Sequence, residues 1–114
     1  MKNEKEVANF LENEGFQIVK LENLNFKDQV KIFQNAKIIA GLHGAGFANV
    51  CFCRPDTKIV EIKSNRTAKL YENLAITNSL DYRSLMFESE NFVSENYFGE
   101  IEVSISMLKK TIEN

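Results

Sequence analysis

Residues 38–50 read IIAGLHGAGFANV, an apolar run followed by a histidine, a glycine-containing segment and then a second apolar segment. The run over 37–41 predicts a short buried strand, and residues 45–52 predict a helix. His43, the only histidine of the chain, therefore stands at a strand-to-helix turn. Parallel α/β sheets bind ligands outside the carboxyl ends of their strands, so this turn is the first candidate for a functional site.

Strands and helices alternate on both sides of this stretch. Helical spacing of apolar residues predicts four further helices, over 4–14, 26–36, 66–77 and 105–113. Alternating or β-branched segments predict four further strands, over 16–21, 58–62, 80–86 and 101–103. Alternation with short connections predicts an α/β fold, a doubly wound and mostly parallel sheet formed by a single domain over residues 1–114.

Local signals support several of these boundaries. Gly15 follows the first predicted helix, where a C-cap glycine is expected. Asn25 offers a side-chain N-cap for the second helix, and Asp28 stands three residues on, as in a capping box. Residues 54–57, RPDT, predict a turn.

Composition excludes several functional classes. The chain has 114 residues, 44% of them hydrophobic and 26% charged, and a formal net charge of −2. Nonspecific nucleic-acid binding depends on clustered Lys and Arg, so we expect no nucleic-acid partner. The longest apolar run is too short for a transmembrane segment, and the charged opening over 1–6 lacks the pattern of a signal peptide. These features predict a cytoplasmic protein.

Cys51 and Cys53 form a Cys-x-Cys pair in an apolar segment. They are too close in sequence for an ordinary disulfide, and with one histidine in the chain they do not complete a four-ligand zinc site from soft ligands. We predict reduced packing cysteines, with a redox or copper role as the alternative. The prediction is therefore of no metal site and no cofactor.

The glycines beside His43 favour an anion site. Gly44 and Gly46 allow close approach of the backbone to a ligand, and the helix that follows exposes its first N–H groups there. A phosphate at such a position gains roughly 0.3–2 kcal/mol from the helix dipole, and His43 can donate a hydrogen bond to it. The alternative is a tight turn with His43 hydrogen-bonded inside it.

Three further polar residues are candidates for the same crevice. Glu61, expected at the carboxyl end of an apolar strand, suits bonding to ribose hydroxyls, and the alternative is an exposed residue paired with Lys58 or Lys63. Asn49 is either a second polar contact or an anchor for the loop. Gln29 either bonds the glycine loop or lies on a solvated helix face.

These residues carry a family resemblance. Residues 24–29, LNFKDQ, then 39–49, IAGLHGAGFAN, and 59–62, IVEI, resemble the carboxy-terminal part of the family 61 glycosyltransferases. That family includes capsular-polysaccharide transferases of bacteria and O-GlcNAc and xylosyl transferases of eukaryotes. The most specific element is His-Gly-Ala-Gly followed by Asn, and the likeness extends over about residues 3–83.

The resemblance implies the Rossmann-like, nucleotide-sugar-binding half of a GT-B glycosyltransferase that transfers sugar with inversion and without a metal. It implies a role in bacterial capsule or surface polysaccharide synthesis. His43 is then the candidate catalytic residue at the donor diphosphate. The candidate substrate-binding residues are Gly44, Ala45, Gly46, Asn49, Glu61 and Gln29.

The amino-terminal acceptor domain of such enzymes has no counterpart in these 114 residues. We therefore expect the chain alone to be inactive and to pair with a separate or missing acceptor domain. A homodimer that covers the open rim of the crevice is a further expectation. The alternative function is a noncatalytic interaction module that retains the transferase fold. A flavodoxin-like protein would need an acidic cluster at the strand ends, and Asp28, Asp56 and Asp81 are not predicted to converge there.

Overall fold

A computed structural model describes residues 3–42, 45–64, 70–87 and 102–113, without the side chains of residues 45, 46 and 70. Four α-helices lie in these ranges: α1 (Glu4–Asn13), α2 (Phe26–Asn35), α3 (Leu70–Thr77) and α4 (Ile105–Glu113). Three strands accompany them: β1 (Ile38–Leu42), β2 (Lys58–Ser64) and β3 (Asp81–Phe87). A short 3₁₀ helix spans Leu21–Asn23 and a longer one spans Ala45–Phe52.

The strands form a small parallel sheet in the order β1-β2-β3. In the β1–β2 pair, Ile39 lies opposite Ile59 and Gly41 opposite Glu61. β2 is the central strand, and Ile59, Val60, Ile62 and the other residues after Lys58 are all buried. A continuous buried run of this kind is typical of a parallel strand covered on both faces.

The structure divides into two compact units, of which the sheet unit comprises residues 20–62 and 68–84. Its core is a cluster of eight buried side chains: Phe33, Phe47, Val50, Cys53, Ile59, Tyr71, Ala75 and Leu80. Three of these, Phe47, Val50 and Cys53, are spaced three residues apart along the long 3₁₀ helix and its end. Side chains at i and i+3 share a face in a 3₁₀ helix, so this spacing explains why the predicted helix over 45–52 takes that form.

The terminal unit comprises the described parts of residues 1–19, 63–67 and 85–114. The Asn3 side chain donates from Nδ2 to the Val103 carbonyl at 2.8 Å, and its Oδ1 accepts from the Val103 amide at 2.9 Å. This reciprocal pair ties the segment before α1 to the segment before α4. Helix α1 ends in a Schellman motif, since the Gly15 amide bonds the Glu12 carbonyl and the Phe16 amide bonds the Leu11 carbonyl.

Most predicted elements are confirmed within one or two residues, as are the local signals. Gly15 adopts φ +93° at the end of α1, and the Asn25 side chain accepts from the Asp28 amide at 2.8 Å. The turn over 54–57 is closed by a Thr57 amide bond to the Arg54 carbonyl at 3.2 Å. For the helix predicted over 66–77, residues 66–69 lie outside the described residues.

Two predicted strands were wrong. The segment 16–21 has no strand: Ile18 is 45% exposed, and the described residues offer no sheet neighbour for this segment. Of the strand predicted over 101–103, residue 101 lies outside the described residues, and residues 102–103 are not in a strand. The Val103 backbone bonds the Asn3 side chain instead of a neighbouring strand. The three-stranded parallel sheet confirms the α/β class. The doubly wound arrangement stays a prediction. Among the described residues, none of the helices is long and apolar enough for a membrane span.

Candidate functional site

The predicted strand-to-helix turn is flanked by the two elements that the sequence predicts, a strand and a helix. β1 ends at Leu42 and the long 3₁₀ helix begins at Ala45, so two residues separate the elements. Those two, His43 and Gly44, lie outside the described residues. Ala45 and Gly46 form the first positions of the 3₁₀ helix. The roles predicted for these four residues stay predictions.

Gln29 and Asn49 meet beside this turn. The Asn49 Nδ2 donates to Gln29 Oε1 at 2.9 Å, which links the long 3₁₀ helix to α2. The Gln29 Nε2 in turn donates to the carbonyls of Leu21 at 2.9 Å and Leu24 at 3.1 Å. The Gln29 amide thus uses both its donor group and its oxygen inside the protein. This geometry favours the anchoring alternative for Asn49, and Gln29 is half-buried rather than on a solvated helix face.

Gly41 allows the 3₁₀ helix to pack against β1. A Cβ placed on Gly41 would lie 3.4 Å from the Phe47 ring, so the ring occupies the space next to the glycine backbone. Phe47 also packs against Tyr71 of α3, with ring centroids 5.8 Å apart. The chain after the turn is therefore fixed by an aromatic contact and by the Asn49 bond, both within the sheet unit.

Glu61 is placed differently from the prediction. It lies inside β2, with three strand residues after it, and its exposed fraction is 0%. Glu61 is thus not at the strand end, and its side chain is buried rather than exposed. The physical reason is that β2 continues to Ser64 as a central buried strand, which places residue 61 in the interior.

Tyr82, from β3, is a site residue that the sequence analysis missed. Its hydroxyl donates to Glu61 Oε1 at 2.5 Å. Burial raises the pKa of the Tyr82 phenol well above its usual value, and the hydrogen bond to Glu61 and the negative charges of Glu61 and Glu72 raise it further. Sequence alone carries little signal for this pair, because a helical crossover does not fix the register of the parallel strands it joins.

The two cysteines have different environments. Cys51 is exposed and Cys53 is buried, and both are free thiols. Burial, followed by the influence of Cys51, raises the pKa of Cys53 to about 11. The prediction of a packing cysteine is therefore confirmed for Cys53 and wrong for Cys51, whose side chain is exposed. Among the described residues there is no group of three or more His, Cys, Asp or Glu side chains that could hold a metal ion.

Comparisons with known proteins give the family. The sequence profile of Glycosyltransferase 61 matches residues 1–60, more than half of the chain. The chain is 40% identical over 43 residues to the β-1,2-xylosyltransferase RCN11 of Oryza sativa subsp. japonica, covering 38% of this chain and 8% of that protein. It is 35% identical over 66 residues to a β-1,2-xylosyltransferase of Arabidopsis thaliana, covering 57% of this chain and 12% of that protein.

The matched region contains α1, α2, β1 and the long 3₁₀ helix, together with the start of β2. The chain belongs to glycosyltransferase family 61, as the resemblance of the His-Gly-Ala-Gly stretch implied. No solved structure matches it. The chain spans only 8% and 12% of the lengths of the two curated relatives.

Proposed function

We propose that this chain binds a nucleotide-sugar donor as part of a glycosyltransferase. The observation that carries the proposal is a strand that ends at Leu42 and a 3₁₀ helix that begins at Ala45 in a chain of this family, with the sequence His-Gly-Ala-Gly over residues 43–46. Backbone amides of residues 44–46 would bind the donor diphosphate, as amides at helix starts bind phosphates elsewhere. His43 would donate a further hydrogen bond to the same group.

The chemistry of the reaction requires such a site. An acceptor hydroxyl oxygen forms a bond to the anomeric carbon of the sugar while the bond from that carbon to the diphosphate oxygen breaks. The nucleoside diphosphate leaves with the bonding electrons, and hydrogen-bond donors already in place stabilise its growing charge. In-line displacement inverts the anomeric carbon, and the proposal needs no metal. We propose that a further domain supplies the acceptor site and the base that takes the hydroxyl proton.

The sugar, the biological context, the arrangement of domains and the ribose contact are further parts of the proposal. The plant relatives are named for xylosyl transfer, which makes xylose a sugar to test here. A role in bacterial surface polysaccharide synthesis, a GT-B arrangement and a homodimer stay predictions. The ribose contact predicted for Glu61 also stays a prediction, and it would require exposure of a carboxyl group that is fully buried in this structure.

The second candidate is an interaction module that retains the fold without binding nucleotide. One observation favours it: Gln29, Asn49 and Glu61, three of the residues predicted to bind substrate, all have hydrogen bonds inside the protein. Side chains already paired in this way support the fold whether or not a ligand is present. The two candidates therefore differ in whether His43 and the adjacent amides respond to nucleotide.

An NMR titration distinguishes them. Isotope-labelled protein is titrated with UDP, GDP, CMP and their sugar conjugates, including a xylose conjugate, up to millimolar concentration. Affinity near 1 mM corresponds to only about −4 kcal/mol, so the titration must reach weak binding. We expect amide shifts centred on residues 41–49, with one base preferred over the others.

The His43→Ala variant provides the specific test, and Lys37→Ala is its matched control. Lys37 precedes β1 and is exposed, so its removal alters the opposite end of the same strand. We expect nucleotide affinity to fall in the first variant only, with the unfolding midpoint unchanged in both. Unchanged spectra with every nucleotide, or equal affinity in the His43 variant, would favour the interaction module.

A further inference from the structure

A buried carboxyl group and a half-buried phenol lie together in the sheet unit. Glu61 has an exposed fraction of 0%, and the Tyr82 hydroxyl donates to its Oε1 at 2.5 Å. A buried carboxyl group that loses one of its hydrogen-bond donors keeps the full cost of leaving water and loses part of the compensation. The Tyr82 hydroxyl is therefore one of the contacts that fix the Glu61 side chain.

Glu61 is adjacent to the end of β1. Its backbone lies opposite Gly41, one residue before β1 ends at Leu42. Alternate residues of a strand share a face, so Glu61 is on the same face of β2 as Ile59, a member of the core cluster. Phe47 packs at Gly41, which places the first turn of the 3₁₀ helix beside this pair of strands.

We propose that Tyr82 is a positioning residue for the donor site: its hydroxyl helps to hold Glu61, whose backbone pairs with β1 one residue before that strand ends. The proposal rests on the function proposed for residues 43–46, which follow β1 in the sequence. Donation from Tyr82 fixes the Glu61 side chain, and the pairing of Glu61 with Gly41 transmits a shift of β2 to β1. Packed elements transmit such shifts because interiors deform little.

Direct contact of Glu61 with the donor ribose is the competing role, and burial argues against it. The ribose hydroxyls could reach the carboxyl group only if Tyr82 and the surrounding core moved away. The two roles predict different dependence on the ribose hydroxyls. A direct contact is lost with a dideoxy nucleotide, whereas a positioning effect acts equally on both forms of the ligand.

The experiment compares Tyr82→Phe with a control of similar stability loss. Leu80→Val removes one methylene from the same core cluster, next to the start of β3, and leaves the Tyr82 hydroxyl intact. Each 114-residue protein is titrated by NMR with UDP and GDP and with their 2′,3′-dideoxy forms. The amide signals of Gly41 and Leu42 are followed without ligand, well below the unfolding midpoint.

We expect Tyr82→Phe to move the Gly41 and Leu42 signals more than Leu80→Val does. We expect nucleotide affinity to fall roughly 2- to 30-fold, the range of couplings carried through packed contacts, and equally for the ribose and dideoxy forms. Loss confined to the ribose forms would overturn the proposal in favour of direct contact. Signals and affinities that match the control would overturn it outright.

Two further measurements keep the proposal testable. If Tyr82→Phe does not fold, Glu61→Gln and the double variant E61Q/Y82F replace the comparison, because an amide at residue 61 removes the buried acid and still accepts from Tyr82. We expect the double variant to bind nucleotide more weakly than Glu61→Gln does, because only the double variant lacks the Tyr82 hydroxyl, and equal affinities of the two would overturn the proposal. If the unmodified protein binds no nucleotide, the proposed function fails, and the Gly41 signal alone decides whether Tyr82 positions β1.

Discussion

Two side-chain hydrogen bonds between elements of the sheet unit differ in what they bury. The Asn49–Gln29 bond joins two neutral amides at 2.9 Å in a partly buried position. The Tyr82–Glu61 bond places a carboxyl group with 0% exposure against a phenol at 2.5 Å. Water can reach the first pair once a partner is removed, whereas Glu61 has no exposed surface at which water could bind. We therefore expect the burial of the acceptor to decide how much the loss of each bond costs.

The largest effect is expected from Tyr82→Phe, which removes a donor from the buried carboxyl group. We expect the free energy of unfolding to fall by about 1–3 kcal/mol, the range for taking a hydrogen-bond partner from a buried polar group. Urea denaturation followed by circular dichroism measures it. The double variant E61Q/Y82F should lose less than the sum of its two single changes, since both act on one hydrogen bond. Strict additivity would mean that the two residues stabilise the fold separately.

A smaller effect is expected from Asn49→Ala. The half-buried Gln29 oxygen can bond water once Asn49 is absent, so we expect a loss of about 0.5–1.5 kcal/mol in the same assay. Asn35→Ala is the matched control, because the Asn35 side chain bonds the Lys31 carbonyl on the exposed surface of α2. A loss at Asn49 as large as that of Tyr82→Phe would remove the distinction between the two bonds.

The smallest effect at neutral pH concerns Cys53, a buried free thiol. Because burial raises the pKa of Cys53 to about 11, the unfolded chain loses this proton first as pH rises from the ordinary value of 9.0. The stability contributed by the protonated thiol is complete below pH 9 and declines toward pH 11. We expect Cys53→Ala to flatten that decline in denaturation curves measured between pH 8 and 10.

Alkylation provides the control for this last comparison. At pH 8, iodoacetamide should modify the exposed Cys51 in the folded protein and reach Cys53 only after denaturation, as measured by intact mass. Modification of Cys51 should change stability by less than about 0.5 kcal/mol, as is usual for surface changes. Equal labelling of both cysteines in the folded protein would contradict the burial of Cys53.

The same contrast separates what could be predicted from what could not. The sequence marks Asn49 as a candidate because it follows the predicted turn, and Gln29 because it lies near the start of the second helix. Their mutual bond has no signal in the sequence. Glu61 was recognised as unusual because an acid interrupts an apolar strand. Its partner could not be found, since Tyr82 is 21 positions away and reaches it through strand pairing.

The failed strand predictions have a related cause. Residues 16–21 alternate as a strand does, yet a strand needs a neighbour to satisfy its backbone, and the described part of the sheet provides none. The backbone of Val103 bonds the side chain of Asn3, 100 positions away in the sequence. The local sequence pattern indicates which residues favour an extended backbone. Pairing with a neighbouring strand determines which of them form a strand.

Sequence by itself determined the α-helices, the caps at Gly15 and Asn25, and the change from strand to helix between Leu42 and Ala45. It also determined the glycosyltransferase family. All of these depend on neighbours along the chain or on a local motif. Tertiary structure alone decided the 3₁₀ form of residues 45–52, the burial of Glu61 and its bond to Tyr82. These features depend on which elements pack together, and packing is set by contacts between residues far apart in the sequence.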